Sequence, residues 1–245
     1  MNESVARLIE NQWPLKLAQN LGRYDDLIFC PLDLPPPPEV DTGEFVDWMM
    51  RAGSSNMAPK RVYEKLTGHE YPWAVAFPDG GSYKAMKDEF PQVTEYLASF
   101  PFDEIEHTVI LAQRGCQHVF THTDRDWLRG MRVYLKSKNK EGLHFFRGRE
   151  KYDEFDMYKT LPDGTVQMIN WNESHHMDEP IYAEFPEGCQ TFMLNSGRAS
   201  HAIDTNTCEL GERVAILVRG KYNEERFNEL MERSLAKYGD KAIWY

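Results

Sequence analysis

Thr108-Val-Ile-Leu-Ala112, a glycine at 115, then Gln117-His-Val-Phe-Thr-His122: two short runs rich in β-branched residues, parted by a turn residue. Short runs of Val, Ile, Thr and aromatics bounded by glycine read as strands. The same pattern continues through Met131-Arg-Val-Tyr-Leu135, Leu143-His-Phe-Phe146, Phe155-Asp-Met-Tyr-Lys159 and Thr165-Val-Gln-Met-Ile169. The last two flank Pro162-Asp163-Gly164, a strong hairpin signal. Ile181-Tyr-Ala-Glu-Phe185, Thr191-Phe-Met-Leu194 and Arg213-Val-Ala-Ile-Leu-Val218 complete the series. About eight strands at such spacing predict an antiparallel barrel or jelly roll.

Helical patterns lie on either side of this series. On the N-terminal side, Val5, Leu8 and Ile9 suggest a short helix over 3–22, limited by Pro14, and Leu34-Pro-Pro-Pro-Pro38 is a stiff connector. Phe45, Trp48 and Met49 stand at helical spacing behind Asp41 or Thr42 as a cap, and a second helix runs from Gln92 to Phe100 between Pro91 and Pro101. On the C-terminal side, Phe227, Leu230, Met231 and Leu235 form one stripe of a helix over 224–238. The expected organisation is one domain over 1–245: a helical and irregular cover (1–106), a β core (107–220), and a C-terminal helix and tail (221–245).

The 245 residues carry a net charge of −11, from 28 basic and 39 acidic side chains. That balance argues against binding to nucleic acid or an anionic membrane, both of which call for a basic face. No apolar run is long enough to span a bilayer, and the N-terminus lacks an apolar signal segment. Cys30, Cys116, Cys189 and Cys208 show no CxxC spacing. Reduced thiols and a cytoplasmic location are the expectation. There is no Gly-x-Ser-x-Gly elbow and no phosphate-binding glycine loop.

His122-Thr-Asp124 carries the chemistry. On a strand, residues two apart point to one face. His201, ahead of the last core strand, supplies a second imidazole, since a closed antiparallel barrel brings its early and late strands together. Two imidazoles and one carboxylate with open positions are the arrangement expected for an oxygen-activating non-haem Fe(II). Zn(II) accepts the same ligands, but a zinc hydrolase leaves Arg213 unexplained. Arg213 is a planar, permanently charged group suited to gripping a carboxylate with two hydrogen bonds.

The segments His118-Val-Phe-Thr-His-Thr-Asp124, Leu128-Arg-Gly-Met-Arg-Val-Tyr-Leu135, Gly188-Cys-Gln-Thr-Phe-Met-Leu-Asn195, Ser200-His-Ala-Ile-Asp204 and Glu212-Arg-Val-Ala-Ile-Leu217 resemble the aspartyl/asparaginyl β-hydroxylase-like branch of Fe(II)/2-oxoglutarate dioxygenases. The resemblance spans about 107–220. It implies a double-stranded β-helix, of jelly-roll or cupin type, within a mainly β fold. It also implies His122, Asp124 and His201 as iron ligands and Arg213 as the partner of the distal carboxylate of 2-oxoglutarate. The implied reaction uses Fe(II), 2-oxoglutarate and O2 to hydroxylate an unactivated C–H bond, releasing succinate and CO2. The implied substrate is an amino acid, free or within a peptide.

Other residues admit two readings each. Arg132 and Tyr134 share one face of their strand, the other being Met131, Val133 and Leu135. The polar pair either faces the lumen and meets a co-substrate or substrate carboxylate, or faces water; the resemblance favours the lumen. His118 is a substrate contact or a hydrogen-bonded barrel histidine. Asn195 orients substrate or builds a turn. Arg129 can line the entrance, and the long stretch 144–187 can wall the substrate. Trp48, Trp73 and Trp244 read as packing. Two functional rivals remain: a non-catalytic barrel sensing a metal or carboxylate, and a cupin-type metal-dependent hydrolase or isomerase. A C-terminal helix serving as a dimer face is compatible with all of them.

Overall fold

The computed structural model describes residues 22–52, 73–76, 85–113, 119–122, 130–138, 142–146, 158–160, 166–168, 179–196, 199–203 and 211–245. The helix expected over 3–22 lies outside them. The described strands are β1 (Leu27–Pro31), β2 (Trp73–Ala76), β3 (Phe102–Gln113), β4 (Val119–His122), β5 (Gly130–Ser137), β6 (Leu143–Phe146), β7 (Tyr158–Thr160), β8 (Val166–Met168), β9 (Ile181–Tyr182), β10 (Thr191–Leu194), β11 (Ser200–Ile203), β12 (Arg213–Tyr222) and β13 (Ile243–Trp244). The helices are α1 (Thr42–Ala52), α2 (Met86–Glu89), α3 (Pro91–Ala98) and α4 (Glu224–Tyr238).

Strand order identifies the architecture. The larger sheet runs β13-β1-β10-β5-β12-β3-β2 and the smaller β4-β11-β6-β9, with antiparallel pairing throughout. Along the chain, β3 enters the larger sheet, β4 the smaller, β5 the larger, β6 and β9 the smaller, β10 the larger, β11 the smaller and β12 the larger. Four strands of the larger sheet (β3, β5, β10 and β12) and the four of the smaller one exchange the chain at nearly every connection, which is a double-stranded β-helix; β1, β2 and β13 extend the larger sheet. β7 and β8 form the hairpin that Pro162-Asp163-Gly164 predicted.

The larger sheet separates two cores. Alternation along β5 sends Met131 and Val133 to one side and Tyr134 to the other. β12 does the same, with Val214, Ile216 and Val218 opposed to Ala215. The first side packs under helices, against Phe45 and Met49 of α1, Val93 and Leu97 of α3, and Phe227, Leu230 and Met231 of α4. The second side faces the smaller sheet, where Phe29, Tyr134 and Phe192 meet Leu143, Phe145 and Ile203. The ring of Phe29 lies 5.5 Å from Phe192 and 5.8 Å from Phe145. This inter-sheet core is the barrel lumen.

Helix ends follow local chemistry. Asp41 Oδ1 accepts from the backbone N–H of Gly43 and Glu44, so Asp41 caps α1. Pro91 opens α3, where its missing N–H costs nothing. Asn223 caps α4 through the N–H of Arg226. The apolar stripe of α4 is buried in this chain's own core, so it is not available as a dimer face.

The N-terminal cover is more than helical and irregular. β1 inserts between β10 and β13, β2 extends the sheet beyond β3, and β3 itself begins at Phe102. Trp48 is buried as expected, whereas Trp244 is 37% exposed on the edge strand and does not serve as core. No described helix is long and apolar enough to cross a membrane.

Cys30 and Cys189 are buried thiols. Burial, with some help from nearby Cys189, pushes the Cys30 thiol from 9.0 up to about 12. The folded state therefore favours the neutral thiol. That contribution is complete below pH 9.0 and is lost as pH rises through about 12. Burial raises Tyr24 and Tyr96 in the same direction. The thermal midpoint should hold up to about pH 9 and then fall, less steeply in Cys30→Ala; an identical fall in that variant would refute the Cys30 contribution.

Candidate active site

Two strands of the smaller sheet bring the two predicted histidine positions together. β4 and β11 pair antiparallel with His122 directly opposite His201. Directly opposed positions share one face of a sheet. On its other side His201 stands opposite Phe145, a member of the inter-sheet core, and their rings lie 6.4 Å apart. That face is therefore the lumen. His201 is 2% exposed, so its imidazole is held in the interior rather than in water.

The connections show which end of the barrel this is. β10 ends at Leu194 opposite Gly130, the first residue of β5, and the chain enters β11 at Ser200 soon after. β4 ends at His122, and the chain enters β5 at Gly130. The start of β5, the end of β10 and the His122–His201 pair thus lie at one end, the mouth. β11 leaves that end, and β12 begins with Arg213 at the opposite one, where Arg213 is opposite Ser137.

Arg213 is fully buried at this floor. Its Nη2 donates to the Tyr134 hydroxyl at 2.9 Å, and the guanidinium carbon sits 5.3 Å from the centroid of the Tyr134 ring. Tyr134 is 4% exposed and lies 5.2 Å from the Phe192 ring. A guanidinium withdrawn from water is costly unless hydrogen bonds and opposite charge meet it. A planar, permanently charged guanidinium beside a hydroxyl is a pair of groups chemically able to hold a carboxylate.

The lumen reading of the Arg132–Tyr134 face agrees with the packing: both flanking residues, Met131 and Val133, lie in the helix-side core. Arg132 is half-buried, opposite Phe192 and Leu217. Asn195 is buried, but its side-chain amide donates to the Asp25 carbonyl at 3.1 Å and its N–H to Ile28 O at 2.8 Å. That places it as a tie between β10 and the approach to β1. His118, Asp124 and Arg129 lie outside the described residues, as does most of the 144–187 stretch.

One inward residue escaped the sequence reading. Arg219 continues the alternation of Arg213, Ala215 and Leu217 on β12, opposite the helix-side Val214, Ile216 and Val218. Gly220 hides it, because glycine after the apolar run reads as the strand's end. In fact a Cβ at Gly220 would stand 1.9 Å from Glu104 O, so glycine is what lets β12 pass β3 and run on to Tyr222.

Among the described residues no group of three His, Cys, Asp or Glu side chains could hold a metal; position 124 is outside them. The donor chemistry nonetheless fits a ferrous ion: opposed histidine positions on the lumen face, with an acid two residues after one of them in sequence.

No protein-family model matches the chain, and no curated protein does. Solved structures similar to it include an oxidoreductase of the 2OG-Fe(II) oxygenase family from Burkholderia pseudomallei, at 9% sequence identity, covering 75% of this chain and 80% of that one with a TM-score of 0.36. A viral collagen prolyl hydroxylase from Paramecium Bursaria Chlorella virus-1, in complex with 2OG, is 11% identical, covers 80% of this chain and 97% of its own, and has a TM-score of 0.37. A prolyl-4-hydroxylase from Pseudomonas putida is 14% identical, covering 78% of this chain and 99% of that one, with a TM-score of 0.24.

Proposed function

We propose that this protein is an Fe(II)- and 2-oxoglutarate-dependent dioxygenase that hydroxylates an unactivated C–H bond, on an amino acid or a peptidyl residue. The observation that carries the reading is the direct opposition of His122 and His201 on the lumen face of a barrel whose floor holds buried Arg213. His122, Asp124 and His201 are the iron ligands. Bound there, iron supplies oxygen activation coupled to decarboxylation of 2-oxoglutarate to succinate.

The chain's own residues do the rest. Arg213 binds the distal carboxylate of 2-oxoglutarate bidentately, and the Tyr134 hydroxyl, already 2.9 Å from Arg213 Nη2, fixes the guanidinium plane. Phe29, Phe145, Phe185 and Phe192 line the lumen and exclude water, which strengthens charge interactions there. Arg132, higher on the same face, meets a carboxylate at the mouth.

The test is anaerobic addition of Fe(II) and 2-oxoglutarate, followed by oxygen. A visible iron-chelate band and then succinate release are expected. A hydrolase or isomerase would need neither reagent, and a sensor would bind both and release no succinate; either result would remove the proposal.

A further inference from the structure

Arg219 and Arg132 occupy neighbouring places on the lumen face, away from the floor. Arg132 stands opposite Leu217, and Arg219 lies two residues further along β12. Such diagonal neighbours have backbones about 7–8 Å apart, within joint reach of two long side chains converging on one small anion. Both arginines are half-buried, and the Nε of each is shielded from solvent. β12 places Arg219 at the end to which His122 and His201 belong, since Val218 pairs with Met131 and the next place on β5 is Gly130.

Gly130 shapes this corner. A Cβ there would meet Leu217 Cδ1 at 2.7 Å, so Gly130 admits Leu217 and leaves no side chain of β5 across from Arg219. The lumen thus offers guanidinium groups at two depths: Arg213 with Tyr134 at the floor, and Arg132 with Arg219 near the mouth.

We propose that Arg132 and Arg219 form a second anion seat on the lumen face, which holds a carboxylate or phosphate group of the substrate. The proposal rests on the oxygenase reading above. It makes Arg219 a specificity-determining residue and the substrate an anion. A seat at the mouth fixes the charged end of the substrate, so that a C–H bond part-way along it meets the histidine pair; binding used for orientation lowers the barrier. The planar arginine fork distinguishes a carboxylate from its amide, because the amide replaces one acceptor oxygen with a donor.

The experiment uses the full chain loaded with Fe(II) and 2-oxoglutarate. Succinate formation is measured with amino acids and short blocked peptides in matched pairs, glutamyl with glutaminyl, aspartyl with asparaginyl and phosphoseryl with seryl. Members that stimulate should be the anionic ones. Their KM should rise about 10- to 100-fold in Arg219→Gln, more than kcat falls, and recover in part in Arg219→Lys, as loss of a charge-assisted contact requires. Stimulation by the neutral members, or an unchanged KM in Arg219→Gln, would overturn the seat. A second measurement covers a panel without a stimulator. Acetate or phosphate should raise the thermal midpoint of the 2-oxoglutarate-saturated protein beyond chloride at equal ionic strength, and Arg219→Gln should abolish that rise. No rise in the unmutated protein, or a full rise in Arg219→Gln, would equally overturn it. Failure of the oxygenase reading looks different: no succinate from the unmutated protein under any condition, with the anion effect on Arg219 intact.

Discussion

His201→Ala and His122→Ala should each lower succinate formation by at least about 100-fold, a floor set by what altering mere supports of metal ligands costs. The two positions are directly opposed in one strand pair, so each change removes one histidine of that pair. The fold should survive, because the β4–β11 register is carried by backbone hydrogen bonds and by the pairing of β11 with β6. Far-UV circular dichroism should be unchanged, while iron retained after desalting falls in both variants alike. Asp124→Ala should behave in the same way. Normal turnover in any of the three variants would contradict the ligand assignment.

Arg213 gives the second large effect. Arg213→Met keeps much of the side-chain volume and removes the charge. A charge-assisted hydrogen bond contributes about 1.5–3 kcal/mol, so losing it should weaken 2-oxoglutarate binding by about 10- to 100-fold. The effect should appear in the affinity for 2-oxoglutarate rather than in iron retention, because Arg213 stands at the barrel end opposite the histidines. Tyr134→Phe should cause a smaller loss in the same affinity, since it removes the hydroxyl that Arg213 Nη2 meets at 2.9 Å. Unchanged 2-oxoglutarate affinity in Arg213→Met would separate the floor from the co-substrate. A collapse of folding in that variant would be checked by the same circular dichroism, with Tyr134→Phe as the milder probe.

The core strands were legible in the sequence because turn residues punctuate them and their apolar content changes abruptly after residue 107. α4 was legible to its ends: one apolar stripe at helical spacing, with Asn223 before it and Glu224 and Glu225 in its first turn. β1 was not. All five residues of Leu27-Ile-Phe-Cys-Pro31 are buried, because the strand lies between two cores and shows neither alternation nor a polar face. β13 is two residues long and becomes a strand only by pairing with β1. Such short segments carry no period of their own, and tertiary pairing alone decides them.

The site was legible in part for a similar reason. His122 and His201 were joined by residue type and by the expectation of a closed barrel, and the register then placed them opposite each other. The inward face of Arg132 and Tyr134 followed from strand alternation, yet which face was inward depended on helices packing on the other. Arg219 was missed because Gly220 looked like a stop. Asn195 was offered two readings, and its bonds to Asp25 and Ile28 show a structural tie that local sequence could not display.

A crystal structure of the protein with Mn(II) in place of Fe(II), together with 2-oxoglutarate, decides the ligand set. One ion held by the imidazoles of His122 and His201 and by Asp124 is expected, with the distal carboxylate of 2-oxoglutarate on Arg213. An ion bound elsewhere, or a co-substrate turned away from Arg213, would contradict it.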